Sequence, residues 1–301
     1  MTAVNISGTE PDGETTKTGE TARIDPAPPG TARRDDPAPL RESTLTGLRV
    51  GYTAGTEDVP QVADHGRFTG WGVVVTGAAG GIGRAVSAGF RAEGAQVVGL
   101  DLVGGDVDVD VRDQAAVVEA MATARQRLGR LDVLVTLAGG SLGTPRDLDE
   151  LTPDDVDRVL DVNVKGTLYC AQAALAYLPA GGSVITCASI GGRQPSPVTG
   201  VPYASAKAAI GGLTRRLAVS VGASGVRVNC VAPGLFLTDR VAGMFEGLPA
   251  EEQAGVIEAI ALRRLPELSE LVEPILFLAS SSASYITGIT LDVNGGRYMP
   301  L

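Results

Sequence analysis

From position 71 onward, short runs of β-branched and aliphatic residues alternate with longer stretches in which apolar positions recur every three or four residues. The short runs fall at 73–75, 96–100, 107–109, 133–137, 183–187, 226–231 and 289–293, and they read as buried strands. The longer stretches at 113–128, 154–178, 203–221 and 268–279 read as helices, as does the segment carrying Ala85, Val86 and Phe90. Strand and helix in repetition predict a doubly wound α/β fold, a parallel sheet with helices on both faces. Such sheets bind ligands beyond the carboxyl ends of their strands, where the strand order reverses. One interval breaks the rhythm. Only residues 102–106 separate the second and third runs, too few for a helical crossover, so the sheet edge is expected to be abbreviated there.

The chain before position 71 has a different character. Residues 1–45 are rich in Thr, Pro, Gly, Asp and Glu with almost no apolar periodicity, which predicts a disordered extension. An arm that folds onto a partner subunit, or a natural start further along, are the alternatives. Residues 46–70 read as a linker or loosely packed segment with Phe68 and Trp71 as its anchors, and 71–301 as the single folded domain.

The stretch 71–83, WGVVVTGAAGGIG, runs from a strand through a glycine-rich turn into a helix. That order suits a dinucleotide: Gly77 for a tight turn, Gly81 for close backbone approach to a pyrophosphate, Gly83 for close helix-to-strand packing. The helix N-terminus then offers unpaired N–H groups to the phosphates. The second strand ends in Asp101, about 20 residues further on, where a carboxylate accepts hydrogen bonds from the adenosine ribose and repels a 2′-phosphate. NAD is therefore expected over NADP, and no Arg or Lys stands inside the glycine turn or close after Asp101.

Composition narrows the chemistry. With 301 residues, 44% of them hydrophobic, the chain can bury one substantial core. A formal net charge of −10 argues against nucleic acid or an anionic membrane as the main partner and leaves a small-molecule substrate. No apolar run approaches the ~18 residues of a membrane span, and no basic-then-apolar leader opens the chain, so a cytoplasmic location is expected. Cys170, Cys187 and Cys230 are too few and too scattered for a zinc site or a disulfide framework, and no metal is expected. His65 is the only histidine, and Lys17, Lys165 and Lys207 are the only lysines. Proton chemistry at neutral pH must draw on something else.

Tyr203 and Lys207 supply a candidate. They stand four apart in PYASAKAAI, after Pro202, a good first-turn residue, so on a helix they share one face. A free tyrosine titrates near ~10, and acting as a base at neutral pH asks for about 4 kcal/mol of phenolate stabilisation. A neighbouring ammonium and an oxidised nicotinamide ring, both positive, would supply it.

Together with this pair, TGAAGGIG (76–83), Asn163 in DVNVKG, Ser189 in CASIGG and NCVAPGLFLT (229–238) resemble the short-chain dehydrogenase/reductase family. The resemblance extends to ITGITLDVNGG (286–296) and so covers the whole expected domain. It implies a Rossmann-like doubly wound sheet, a homodimer or homotetramer, and Tyr203 as the catalytic acid/base. Ser189 would hold the substrate oxygen, and Lys207 would bind the nicotinamide ribose and favour the phenolate. Asn163 would kink its helix and hold a proton-relay water. Ile82 joins the glycines as a cofactor contact, Asp110 and Val111 flank the adenine, and Pro233, Gly234, Phe236 and Thr238 meet the nicotinamide carboxamide. Where the family usually has Asn-Asn-Ala-Gly, this chain has Thr136, Leu137, Ala138 and Gly139, which keeps the cofactor-facing Ala-Gly but loses side-chain hydrogen bonds that support the sheet.

The substrate pocket is expected from 140–146, 191–201 and 235–262, with Leu142, Pro195, Val198, Leu235, Met244 and Phe245 making it largely apolar. The segment after Thr238 looks like a mobile lid. Arg193 and Arg240 are each placed to meet a carboxylate. The expected reaction is NAD-linked interconversion of a secondary alcohol and a ketone on a mostly apolar substrate, cyclic ones included. Two other readings stay open: an isomerase, epimerase or cyclase with NAD recycled or structural, and a non-catalytic binding or assembly protein.

Overall fold

Val73, Val74 and Val75 are fully buried in the first strand, β1 (Gly72–Thr76), which lies third from one edge of a seven-stranded parallel sheet. A computed structural model of the chain describes residues 66–195 and 199–300; the side chains of Asp239, Arg240 and Met244 are outside that description. The expected disordered extension over 1–45, the 46–65 part of the linker with His65, and the pocket residue Val198 lie outside the described residues.

The remaining strands are β2 (Gln96–Asp101), β3 (Val107–Asp108), β4 (Val133–Thr136), β5 (Ser183–Cys187), β6 (Arg227–Pro233) and β7 (Thr290–Val293). Their order in the sheet is β3-β2-β1-β4-β5-β6-β7, every pair parallel. The winding reverses between β1 and β4, which opens a crevice at their carboxyl ends. The helices are α1 (Gly81–Ala92), α2 (Gln114–Leu128), α3 (Pro153–Leu160), α4 (Gly166–Leu175), α5 (Val201–Val221), α6 (Asp239–Glu246), α7 (Ala250–Glu258) and α8 (Ser269–Ala279). Alternate strand residues serve opposite cores. Val74, Leu134 and Val184 pack with Met121 and Ala174 from α2 and α4, while Val75, Val135 and Ile185 pack with Phe90 and Ile275 from α1 and α8.

Three expectations change in detail. The single helix expected over 154–178 is α3, a π-helical turn at Asp161–Lys165, and α4. The segment after Thr238 forms α6 and α7, where acidic Glu251 and Glu252 in the first turn suit the α7 N-terminus. The described end of the linker, 66–70, is held firmly. Phe68 is fully buried, edge-on to the Phe90 ring at 4.9 Å and to Trp71 at 5.4 Å. Glu93 accepts the backbone N–H groups of Gly66 and Arg67 and the Arg67 guanidinium, and that guanidinium first of all holds its carboxyl down to about 2.

At the sheet edge, β3 is only two residues long and joins β2 without a helix. Side chains finish what the strand leaves open. The Gly99 N–H donates to Asp106 (2.7 Å), and Arg91 donates to the carbonyl of Val97 (3.2 Å) while lying 3.6 Å from Asp106.

On the opposite half of the sheet, the buried Arg227 guanidinium donates to the carbonyls of Leu278 (2.6 Å), Ala279 (2.9 Å) and Ser280 (2.9 Å) at the end of α8. It satisfies three helix-terminal acceptors and sits at the negative end of the helix dipole. Arg227→Met would strand those carbonyls and is expected to cost about 3 kcal/mol, read as a lower urea midpoint with unchanged slope. Arg227→Lys should recover part of the loss, and a cost below about 0.5 kcal/mol would show that water replaces the guanidinium.

Candidate active site

Where β1 ends, the backbone turns at Gly77 (φ 69°) and enters α1 at Gly81. A Cβ on Gly77 would lie 2.7 Å from the Ala138 nitrogen, and one on Gly83 would lie 2.1 Å from the Gly77 carbonyl oxygen. Glycine at both positions lets α1, β1 and the end of β4 touch through backbone alone. Gly81 lines the crevice, and a Cβ there would meet the Thr238 side chain at 2.9 Å, so its bareness also makes room for the start of α6. No side chain caps α1 and no acidic residue stands in its first turn, whereas Asp113 caps α2 and Thr152 caps α3. The free N–H groups of α1 therefore face the crevice as an anion site.

That crevice is a cavity of about 840 Å³. Gly77, Gly81, Ile82, Gly83, Asp101, Asp110, Val111, Ala138, Gly139, Pro233, Gly234, Phe236 and Thr238 all line it, together with Ser189, Tyr203 and Lys207. The residues fit a dinucleotide along its length: an uncapped helix end at the centre, a carboxylate beyond β2, and hydroxyl, phenol and ammonium groups beyond β5. Asp101 accepts the N–H groups of Ala79 (2.8 Å) and Leu102 (2.7 Å) and keeps lone pairs for a further donor. Asp110 is bound by Arg112, whose guanidinium holds its carboxyl below the usual range.

Asn163 is the exception, buried behind the cavity at 1% exposure. It sits in the π-helical turn, where its amide donates to the carbonyls of Val159 (2.9 Å) and Gly140 (2.9 Å) and accepts the Gly140 N–H (3.1 Å). The extra residue of the turn lets this side chain reach across to the loop after β4. Ser189, at the end of β5, accepts the Gly191 N–H (3.1 Å), which leaves its own O–H free to donate. Tyr203 and Lys207 rise from α5 one turn apart, with the Lys207 Nζ 5.7 Å from the Tyr203 ring centre. Lys207 is 7% exposed and donates to the Cys187 carbonyl (2.9 Å), which keeps two N–H bonds for other acceptors.

A family model described as enoyl-(acyl carrier protein) reductase matches residues 77–297. Cis-4-hydroxycyclohexanecarboxylate dehydrogenase of Sinomonas cyclohexanicum is 38% identical over 242 residues, covering 74% of this chain and 94% of that protein. Meso-2,3-butanediol dehydrogenase of Serratia marcescens is 35% identical over 246 residues, covering 76% and 95%. A crystal structure from Brucella melitensis, titled short-chain dehydrogenase/reductase SDR:Glucose/ribitol dehydrogenase, superposes with a TM-score of 0.71 at 31% identity, covering 78% of this chain and 99% of that one. The chain belongs to the short-chain dehydrogenase/reductase family.

The departure from the family's Asn-Asn-Ala-Gly has a visible structural cost. The Thr136 hydroxyl is buried with no partner among the described residues. Support for the strand end comes instead from Thr76, whose hydroxyl accepts the N–H groups of Leu137 (3.2 Å) and Ala138 (3.2 Å). Other expectations for the short-chain dehydrogenase/reductase pocket need correction. Arg193 is not free for a carboxylate: Asp292 holds it through two bonds of 3.1 and 2.8 Å, and it lies 5.2 Å from the centre of the Tyr298 ring. Phe245 is buried at 6% exposure in the fold and Pro195 is exposed, and neither lines the cavity, whereas Leu142, Leu235 and Val241 do.

The structure adds Thr76 as a support, and Arg84, Cys187 and Arg158 and Arg297 on the cavity wall. Arg84 directly follows the glycine turn, a position the sequence displays openly, and it donates to the Ala79 carbonyl. Cys187 faces the cavity, yet burial pushes its thiol up to about 11, with nearby Lys207 only partly offsetting this. At about pH 8 its thiolate fraction should be roughly a hundredfold below that of an ordinary thiol, and alkylation by iodoacetamide correspondingly slower than that of glutathione. Peptide mass spectrometry of timed reactions checks this, and labelling at the glutathione rate would contradict it.

Proposed function

We propose that the chain is an NAD-dependent oxidoreductase that interconverts a secondary alcohol and a ketone on a mostly apolar small molecule, cyclic alcohols included. The observation that carries this reading is the meeting of Ser189, Tyr203 and Lys207 on one cavity with the uncapped end of α1. Dehydrogenase relatives named for a diol and for a hydroxycyclohexane acid support an alcohol substrate.

The bound nicotinamide would exchange a hydride with the carbinol carbon. Everything else falls to the chain. Ser189 donates its O–H to the substrate oxygen and fixes it beside Tyr203, which takes the hydroxyl proton during oxidation and returns it during reduction. Lys207, anchored on Cys187, turns its remaining N–H bonds to ribose hydroxyls, and its charge favours the phenolate of Tyr203. Asn163 fixes Gly140 and so the loop beside the substrate; with both ends of its amide engaged by protein, a relay water would rest on other acceptors. Asp101 supports NAD, because its carboxylate stands at the adenosine end and Arg112 there is already neutralised by Asp110. For assembly we propose the homodimer or homotetramer of the family, located in the cytoplasm, with exposed Tyr177 and Val219 near or on the helices that would meet. Calibrated light scattering reporting a monomer would count against that assembly.

Tyr203→Phe is expected to lower kcat by about 10²–10⁴-fold while NADH binding, followed by fluorescence, stays within about threefold. Unchanged turnover would remove Tyr203 from the chemistry. NAD should exceed NADP in kcat/KM by at least about tenfold, and Asp101→Ser should narrow that ratio by raising NADP use. An unaltered ratio in the variant would place the discrimination elsewhere. The redox-neutral reading gains if reduced cofactor binds tightly and no alcohol yields net NADH.

A further inference from the structure

Among the described residues four arginines line the cavity: Arg84, Arg112, Arg158 and Arg297. Three are engaged. Arg84 donates to the Ala79 carbonyl, Arg112 pairs with Asp110 at 2.6 Å, and Arg158 pairs with Asp155 at 2.7 Å. Arg297 is half-buried, and its guanidinium has no hydrogen bond or ion pair among the described residues.

Its position in the fold says which end of the cavity it serves. Arg297 follows β7, five strand spacings from β2 where Asp101 stands, or roughly 24 Å at about 4.8 Å per strand. It therefore belongs to the substrate end, beside the wall made by Pro233 and Gly234: the Gly234 N–H donates to the carbonyl of Val293 (2.8 Å). The turn that carries it is stiff. Asn294, 8% exposed, accepts the N–H groups of Gly296 (3.0 Å) and Tyr298 (3.3 Å) and donates to the Tyr298 carbonyl (3.2 Å). Gly295 (φ 62°) and Gly296 (φ 80°) press so close to Ile260 and Ala261 that a Cβ would stand 2.7 and 2.8 Å from them. Tyr298, the next residue, stacks under the Arg193 guanidinium that Asp292 neutralises.

A rigid turn that places an unpaired guanidinium on the cavity wall is pre-organised for a planar anion. We propose that Arg297 binds a carboxylate on the substrate, so that the chain acts on secondary alcohols that also carry a carboxylate. This rests on the dehydrogenase reading. The substrate hydroxyl lies at Ser189 and Tyr203, its apolar body lies against Leu142, Leu235 and Val241, and its carboxylate meets Arg297. On the apolar side, Leu142 holds a left-handed backbone (φ 54°), which is uncommon for a non-glycine residue.

The test is calorimetric titration of cyclohexanecarboxylate and the neutral cyclohexanemethanol, each with and without NADH present. The wild-type chain should bind the carboxylate at least tenfold more tightly than the alcohol, in one or both conditions. Arg297→Leu should remove that preference, Arg297→Lys should retain part of it, and cyclohexanemethanol and NADH affinities should change less than about threefold in both variants, which also certifies their folding. A wild-type chain without the preference, or an Arg297→Leu chain that keeps it, overturns the proposal. If NADH itself fails to bind, the dehydrogenase reading falls, while the carboxylate preference is still read from the cofactor-free titration.

Discussion

Backbone-to-backbone contact at Gly77 is the constraint on which the rest of this structure depends. The first turn of α1, the end of β1 and the end of β4 meet there with no side chain between them, because Gly83 lies against the Gly77 carbonyl and Gly77 against Ala138. Withdrawing α1 by the width of one methyl group would carry its N-terminal dipole away from the crevice. It would also disturb the Thr76 hydroxyl that holds Leu137 and Ala138. The anion end of the site and the loop leading to the reacting groups are thus built on the same few atoms.

From that contact the site is assembled strand end by strand end. The loop after β4 is fixed by Asn163 through Gly140, and Asn163 stands in the π-helical turn between α3 and α4. The end of β5 supplies both Ser189 and the carbonyl on which Lys207 rests. The end of β6 supplies Pro233 and Gly234, and the turn after β7 supplies Arg297. Helices contribute reactive groups, but strand termini decide where those groups stand. A parallel sheet has all its carboxyl ends on one side, so all seven strands deliver residues to a single cavity.

Much of this was legible before the structure. The sheet and its flanking helices follow from local periodicity, and the glycines of the first turn are dictated by contacts within a short span of chain. The parts that were not legible rest on distant partners or on geometry that leaves composition unchanged. Arg193 reads as a free cation until Asp292, 99 residues later, closes on it. Val162, Asn163 and Val164 keep a helical pattern through the π turn, so the break in 154–178 leaves no trace in hydropathy. The short interval predicts an abbreviated edge at β3, whereas the Asp106 carboxylate that reaches back to the Gly99 N–H becomes visible only in the fold. Leu137 and Thr136 show a substitution whose visible consequence, an unpartnered buried hydroxyl, appears only once the strands are in register.

The treatment of that edge reaches beyond the cavity. With Asp106 occupying the Gly99 N–H and Arg91 the Val97 carbonyl, two backbone groups on the outer side of β2 below β3 are answered by charged side chains. A strand from another molecule arriving there would have to displace a carboxylate and a guanidinium that also face each other. Strand addition along this stretch of β2 is therefore disfavoured, and the protection comes from side chains rather than from a longer edge strand.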